Sequence, residues 1–370
     1  MAHSPNLPRL QEITERTKPI AVRAALGFLV LCLTACATPA SLYETRPSVP
    51  IQWPQPPLPA KIVWVRSIAS PQDAGIGKGF WKRALELVIG TDERRIIRPH
   101  GVLFDEKEQL FIADPGAGLV HWMDLKKGRY TVIGTEGGHP FRTPIGLAED
   151  EGGRLYITDS TAGKVFIYDL AGGTLTPLIL LHLERPTGIA YNRVNKLLYI
   201  VDTTAGQVVG IDGQGVERVR FGSAGEGKTQ FNHPTDIAVN ARGELYVTDP
   251  LNYRIKLFSP EGHLVSEIGE AGDSQGNLNK PKGVAVDSEG HVFVCDAMLD
   301  SVQIFDEAGR FLLSFGDTGV ANGQFWMPSG IFIDRNNYIF VADTYNQRLQ
   351  VFRYLAGAGP DEGKSAEPMR

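Results

Sequence analysis

Six segments of the form Pro-x-[Gly/Asp]-apolar recur along this chain at nearly constant spacing, and nothing else in the sequence restricts its fold as much. They begin at Pro99, Pro144, Pro186, Pro234, Pro281 and Pro328, separated by 45, 42, 48, 47 and 47 residues. Each leads into an alternating apolar and aromatic run that ends in aspartate, at Asp114, Asp159, Asp202, Asp249, Asp296 and Asp343. Alternation with period two predicts half-buried strands. A third run follows, clearest at Arg254 to Phe258, Val302 to Phe305 and Arg348 to Phe352. Turns such as Pro260-Glu261-Gly262 lead to a fourth, as in Phe311 to Phe315. Four short strands in a repeat of about 45 residues is the arithmetic of a propeller blade. The expected fold is all-β, a six-bladed β-propeller, and 41 glycines and 24 prolines among 370 residues suit a chain of many turns.

The recurring P-x-G-[IVL], strand-Asp and R-[IL]-x-[VL]-F elements resemble NHL repeats, over residues 99 to about 355. The resemblance implies a closed ring of NHL-like blades. The last repeat lacks a fourth strand, because the chain after Phe352 turns to glycine, proline and charge. Lys61 to Ile68 has strand alternation and predicts the missing outer strand, so the propeller spans 61–355 with the N-terminal strand closing it. Strand polarity puts every Pro-x-Gly entry and every terminal aspartate at one end of the ring, here called the top. Residues 69–98 then form an oversized top connection. Its apolar positions 81, 84, 85 and 88 predict one short helix, either a packed cap or a lid or docking surface over the opening.

Ahead of the ring, residues 24–34 form an apolar run preceded by Arg9, Arg16, Lys18 and Arg23. It is too short for a membrane-spanning helix, which needs about 20 residues. A basic segment, a short apolar run and small residues is the plan of a secretory signal. Leu33-Thr34-Ala35-Cys36 resembles the lipobox of bacterial lipoproteins, which implies removal of residues 1–35 and lipidation of Cys36. An uncleaved anchor or a plain signal peptide is the alternative. Residues 36–60 hold seven prolines and predict an extended tether with little sheet structure, and 356–370 predict a disordered tail. The expected location is the cell envelope, exported and lipid-anchored.

With 37 basic and 42 acidic residues the net charge is −5, which argues against a nucleic-acid partner. Three cysteines, Cys32, Cys36 and Cys295, lack the spacing of a disulfide framework or a zinc ribbon, and Cys295 reads as an inert buried thiol. Gly222 to Thr229 matches the phosphate-binding pattern G-x-x-x-x-G-K-[ST], but Gln-Phe-Asn-His-Pro follows in place of a helix, and corresponding loops start at Gly269 and Gly316. No nucleotide is therefore expected. The six aspartates, one per blade at a strand end, read as turn residues that bind backbone amides.

What differs between blades is the set of residues beside each top-face proline. Arg98, His100, Arg185, His233, Asp236, Lys280 and Lys282 are the candidate binding residues, with Thr143, Thr187, Thr235, Met327 and Ser329 at the remaining places. Their excess of positive charge predicts either an anionic ligand or acidic partner loop, or simple pairing with the six aspartates. Catalytic and metal-binding residues are not expected, nor is a cofactor. NHL-like and related rings include a zinc-binding amidating lyase and calcium-dependent lactonases. Here only His100 and His233 lie on the ring, in blades one and four, with His139 and His182 in neighbouring connections. The expected function is a non-catalytic envelope binding or scaffold module with a protein or glycan partner. The alternative is a metal-dependent lactonase-like hydrolase or lyase.

Overall fold

Each repeat, with its apolar runs split by tight turns, folds as an antiparallel meander in a computed structural model that describes residues 50–77, 95–134, 141–179 and 182–355. Blade one comprises Val102–Phe104, Gln109–Asp114, Leu119–Asp124 and Arg129–Ile133. Blade two comprises Pro144–Glu149, Arg154–Asp159, Lys164–Asp169 and Thr174–Pro177. Blade three comprises Pro186–Asn192, Leu197–Asp202, Gln207–Ile211 and Glu217–Phe221. Blade four comprises Ile237–Val239, Leu245–Asp249, Arg254–Phe258 and Leu264–Ile268, and blade five Pro281–Val286, Val292–Asp296, Ser301–Phe305 and Phe311–Phe315. Blade six has Ile331–Ile333, Tyr338–Asp343 and Arg348–Tyr354, with Ile62–Ile68 and then Gln52–Trp53 paired along its outer edge. First strands contact one another in blade order, and that of blade six meets that of blade one, so the blades form a six-bladed propeller around a central channel.

The core is divided among the blade boundaries. Buried apolar side chains gather into six clusters, each drawn from two adjacent blades. The pleat explains this division, because successive side chains point to opposite faces. Phe111 packs toward blade two while its neighbours Leu110 and Ile112 pack toward blade six. The second strands are therefore buried on both faces, as in Gln109–Asp114 and Leu245–Asp249, rather than half-buried as their alternation predicts. Cys295 is fully enclosed between blades five and six, and that burial pushes its thiol well above the usual range.

Ile62–Ile68 runs antiparallel to Arg348–Tyr354, from Ile62 opposite Tyr354 to Ile68 opposite Leu349. Gln52 and Trp53 then pair with Val63 and Ile62. The stretch read as an extended tether is thus sheet-bound at these two positions. The Trp53 ring lies 5.8 Å from both Phe315 and Phe352, and that apolar contact holds a proline-rich segment that has few amides to donate. No helix occurs among the described residues. Cys36, His139 and segments 1–35, 80–88 and 356–370 lie outside them.

Candidate functional site

The strand-end aspartates order the top face. Asp114 accepts N–H bonds from Ile97 at 2.7 Å and Arg98 at 3.0 Å, and Asp159 accepts them from Arg142 and Thr143. Asp202 binds the amides of Glu184 and Arg185, and Asp296 those of Asn279 and Lys280. In blades four and six the residue before proline, His233 or Met327, has φ 60° or 53°, and the aspartate takes one entry amide, from Asn232 or Trp326. Lys256 and Arg348 approach the carboxylates of Asp249 and Asp343 at 3.1 and 2.7 Å. The aspartates thus fasten the entry of each first strand to the end of the second, the amide-binding role expected of them.

This arrangement separates the candidate cations from those carboxylates. Arg98, Arg185 and Lys280 meet the aspartates through backbone N–H groups, and among the described residues no carboxylate lies within ion-pair distance of their side chains or of Lys282. Burial first, then the charges of Lys280, Arg98 and Arg185, hold the Lys282 ammonium below the ordinary lysine range. Burial, with Lys282 and Arg98 adding to it, pushes the His100 imidazole down to about 3, so it is neutral at pH 7. Blades one, three and five therefore bring Arg98, Arg185 and Lys280 within electrostatic reach of Lys282 at the channel mouth, with His100 in reach of Lys282 and Arg98. His233, exposed in blade four, turns Nδ1 to Asn232 Oδ1 at 3.0 Å.

The first strands meet backbone to backbone around the centre of the ring. A Cβ on Gly101, Gly146, Gly188, Gly283 or Gly330 would collide with the backbone of the next blade, ending with Gly330 against His100. Glycine at these five places lets the first strands approach closely. Blade four has Asp236 instead, and its Oδ2 accepts the Val284 N–H of blade five at 3.1 Å. Asp236 and His100 are half-buried, and the lost hydration raises the Asp236 carboxyl to about 7. Hydroxyl bonds knit neighbouring blades at the same level: Thr158 to the Thr187 carbonyl, Thr203 to that of Pro234, Thr235 to that of Lys282 and Thr344 to that of Pro99.

Other candidates are committed to structure. Phe231 follows the Gly222 to Thr229 loop in extended conformation, bridged to Ala224, and Lys256 Nζ binds the carbonyls of Gly227 and Gln230. Gln303 and Gln350 hold the corresponding loops of the next two blades. His121 occupies the matching place in blade one, buried between Asp114 Oδ2 at 3.2 Å and the Tyr130 hydroxyl at 2.8 Å. The residue types at that third-strand place, Lys256, Gln303 and Gln350, mark it as polar, but the sequence reading did not single it out. A cleft of about 320 Å³ at the bottom of blades two and three is lined by Arg154, Tyr156, Tyr191 and Lys196. Its cations are paired, Arg154 with Asp150 and Lys196 with Glu151, both at 2.6 Å. Among the described residues no three His, Cys, Asp or Glu side chains converge as a metal site.

Residues 325–352, in blade six, match the NHL repeat family. The fold resembles virginiamycin B lyase from Staphylococcus aureus, with 15% identity over 71% of this chain and 97% of that one, and a TM-score of 0.54. It also resembles an auxiliary nutrient binding protein from Bacteroides thetaiotaomicron VPI-5482, with 17% identity, 71% coverage of each chain and a TM-score of 0.56. A calcium-binding protein, regucalcin, from Agrobacterium tumefaciens str. C58 aligns at 18% identity over 70% of this chain and 90% of its own, with a TM-score of 0.52. At these identities the likeness is one of architecture.

Proposed function

We propose that this NHL-repeat propeller is a non-catalytic binding or scaffold module of the bacterial cell envelope, tethered through a lipidated Cys36, that engages an anionic protein or glycan with its top face. The observation that carries the reading is the mouth cluster. Arg98, Arg185, Lys280 and Lys282 share an opening without carboxylate partners among the described residues, while the nearby aspartates are occupied by amides. Burial first and then the neighbouring charges hold the Lys282 ammonium below its ordinary range, and an anion there would offset both, so electrostatic energy is available to binding at that place. We read Ile62–Ile68 as the clasp that closes the ring and segment 80–88 as a short helix over the same face. The nutrient-binding and calcium-binding likenesses support a binding use of the architecture, and the lyase likeness supports the enzymatic alternative. The cations of the mouth cluster favour the binding reading, because they suit an anionic partner.

Photo-crosslinking residues placed at position 282 in the top mouth and at position 213 in the bottom turn test this reading in intact envelopes. Adducts from position 282 alone are expected. Adducts from position 213 alone would overturn it.

A further inference from the structure

The residue two places after each strand-end aspartate sits in a top-face turn. In blades one to three this residue is Gly116, Thr161 or Thr204, and in blades four to six it is Leu251, Met298 or Tyr345. The three large ones stand out in solvent, 39%, 57% and 48% exposed. Trp326, 49% exposed at the blade-six entry, adds a fourth large apolar side chain, with its ring 5.6 Å from that of Tyr345. The Arg98 guanidinium lies 5.6 Å from the Tyr345 ring centre on the other side of the blade-six boundary. Single exposed hydrophobics are ordinary, but large ones repeated at one turn position in three consecutive blades make an arc that borders the basic mouth.

We propose that this arc, formed by Leu251, Met298, Trp326 and Tyr345, docks a protein segment that carries apolar side chains beside carboxylates. The inference rests on the reading of the top face as an anion-binding surface and names the partner's class. Charge complementarity supplies the acidic part, because Lys280 and Lys282 belong to blade five, the middle blade of the arc. The apolar part distinguishes a protein from a glycan. A sugar stacks well on the flat Trp326 and Tyr345 rings, but over Leu251 and Met298 its hydroxyls would lose water without gaining partners. Peptide side chains gain from burial at all four, and Trp, Tyr and Arg together are the usual anchors of protein interfaces.

Three polymers probe the full-length protein in detergent: a random glutamate–tyrosine copolymer, polyglutamate and polygalacturonate. The copolymer is expected to bind about tenfold more tightly than polyglutamate. In a Leu251→Ser, Met298→Ser, Trp326→Ala variant that advantage should fall to about onefold while polyglutamate binding stays the same. Met298→Ser alone, with a melting curve, provides a variant whose fold is not at issue. Equal binding of the two polypeptides to the native protein, or an advantage that survives the triple substitution, would overturn the proposal. So would polygalacturonate binding as tightly as the copolymer and weakening with the arc removed. If Lys280→Ala with Lys282→Ala leaves polyglutamate binding unchanged, the charge reading of the mouth is at fault, and the copolymer ratio still decides the arc.

Discussion

Asp236 reaches across from blade four and accepts the N–H of Val284 in blade five at 3.1 Å, at the one place in the inner ring where the other five blades carry glycine. Its carboxyl, raised to about 7 by burial against an ordinary 3.8, keeps its proton in the folded state over a range where the unfolded chain has lost it. The stability this contributes is complete below pH 4 and is lost as pH rises through 7. His100, lowered to about 3 from 6.5, acts in the opposite sense, adding stability as pH rises from 3 to 6.5. Asp236→Asn keeps the acceptor for Val284 and removes one of these slopes. Urea melts at pH 4, 6 and 8 should show the variant gaining on the native protein with pH, by on the order of 2 kcal/mol at pH 8 after allowing for water in the channel. A difference independent of pH would remove Asp236 as the cause.

Close approach of the blades should make the ring glycines intolerant of even one carbon. A Cβ on Gly283 would strike the Ser329 carbonyl oxygen, whereas one on Gly77 meets nothing within 4 Å. Gly283→Ala should cost about 2 kcal/mol or more and Gly77→Ala less than about 0.5 kcal/mol, read from chemical denaturation. Equal effects would mean that the channel wall can relax.

The outer edge of blade six offers a graded comparison. Deleting residues 50–68 takes away both edge strands and leaves Arg348–Tyr354 unpaired along one side, while Trp53→Ala removes only the indole packed on Phe315 and Phe352. Deletion should abolish a cooperative melt or lower it by more than 10 °C, on the order expected for losing a whole strand, and Trp53→Ala should lower it by about 4–8 °C. An unchanged melt in the deletion would contradict a role for these strands in closing the ring.

Membrane attachment is expected to depend on one atom, the Cys36 sulfur. No helix among the described residues is long and apolar enough to cross a membrane. Cys36→Ala should abolish fatty-acid labelling and move the protein to the soluble fraction. Labelled or membrane-bound Cys36→Ala protein after a high-salt wash would refute lipid anchoring at that position.

Much of the architecture was legible because a repeat must bury the same face in every copy, so Pro-x-Gly entries and terminal aspartates keep their spacing from Pro99 to Asp343. The chemistry of the aspartates followed from their place at strand ends, and Asp236 was visible as the departure from glycine. The pairing of Gln52 and Trp53 was not, because two residues among prolines carry no periodicity and their place is set by distant Phe315 and Phe352. The apolar arc escaped notice for a related reason. Exposed turn residues are under no burial constraint, so Leu251, Met298 and Tyr345 stand out only when residues two beyond each aspartate are compared across blades.

Salt-dependent binding of polyglutamate is the sharpest check on anion binding at the top mouth through side chains left without carboxylate partners among the described residues. Native protein and the Lys280→Ala, Lys282→Ala variant would be titrated from about 50 to about 300 mM salt, with melting curves recorded on both. Binding should weaken with salt, and the variant should lose about fivefold or more at low salt, with a shallower salt dependence and a melting temperature within about 2 °C. Equal affinity and equal salt dependence in a folded variant would contradict anion binding at that mouth.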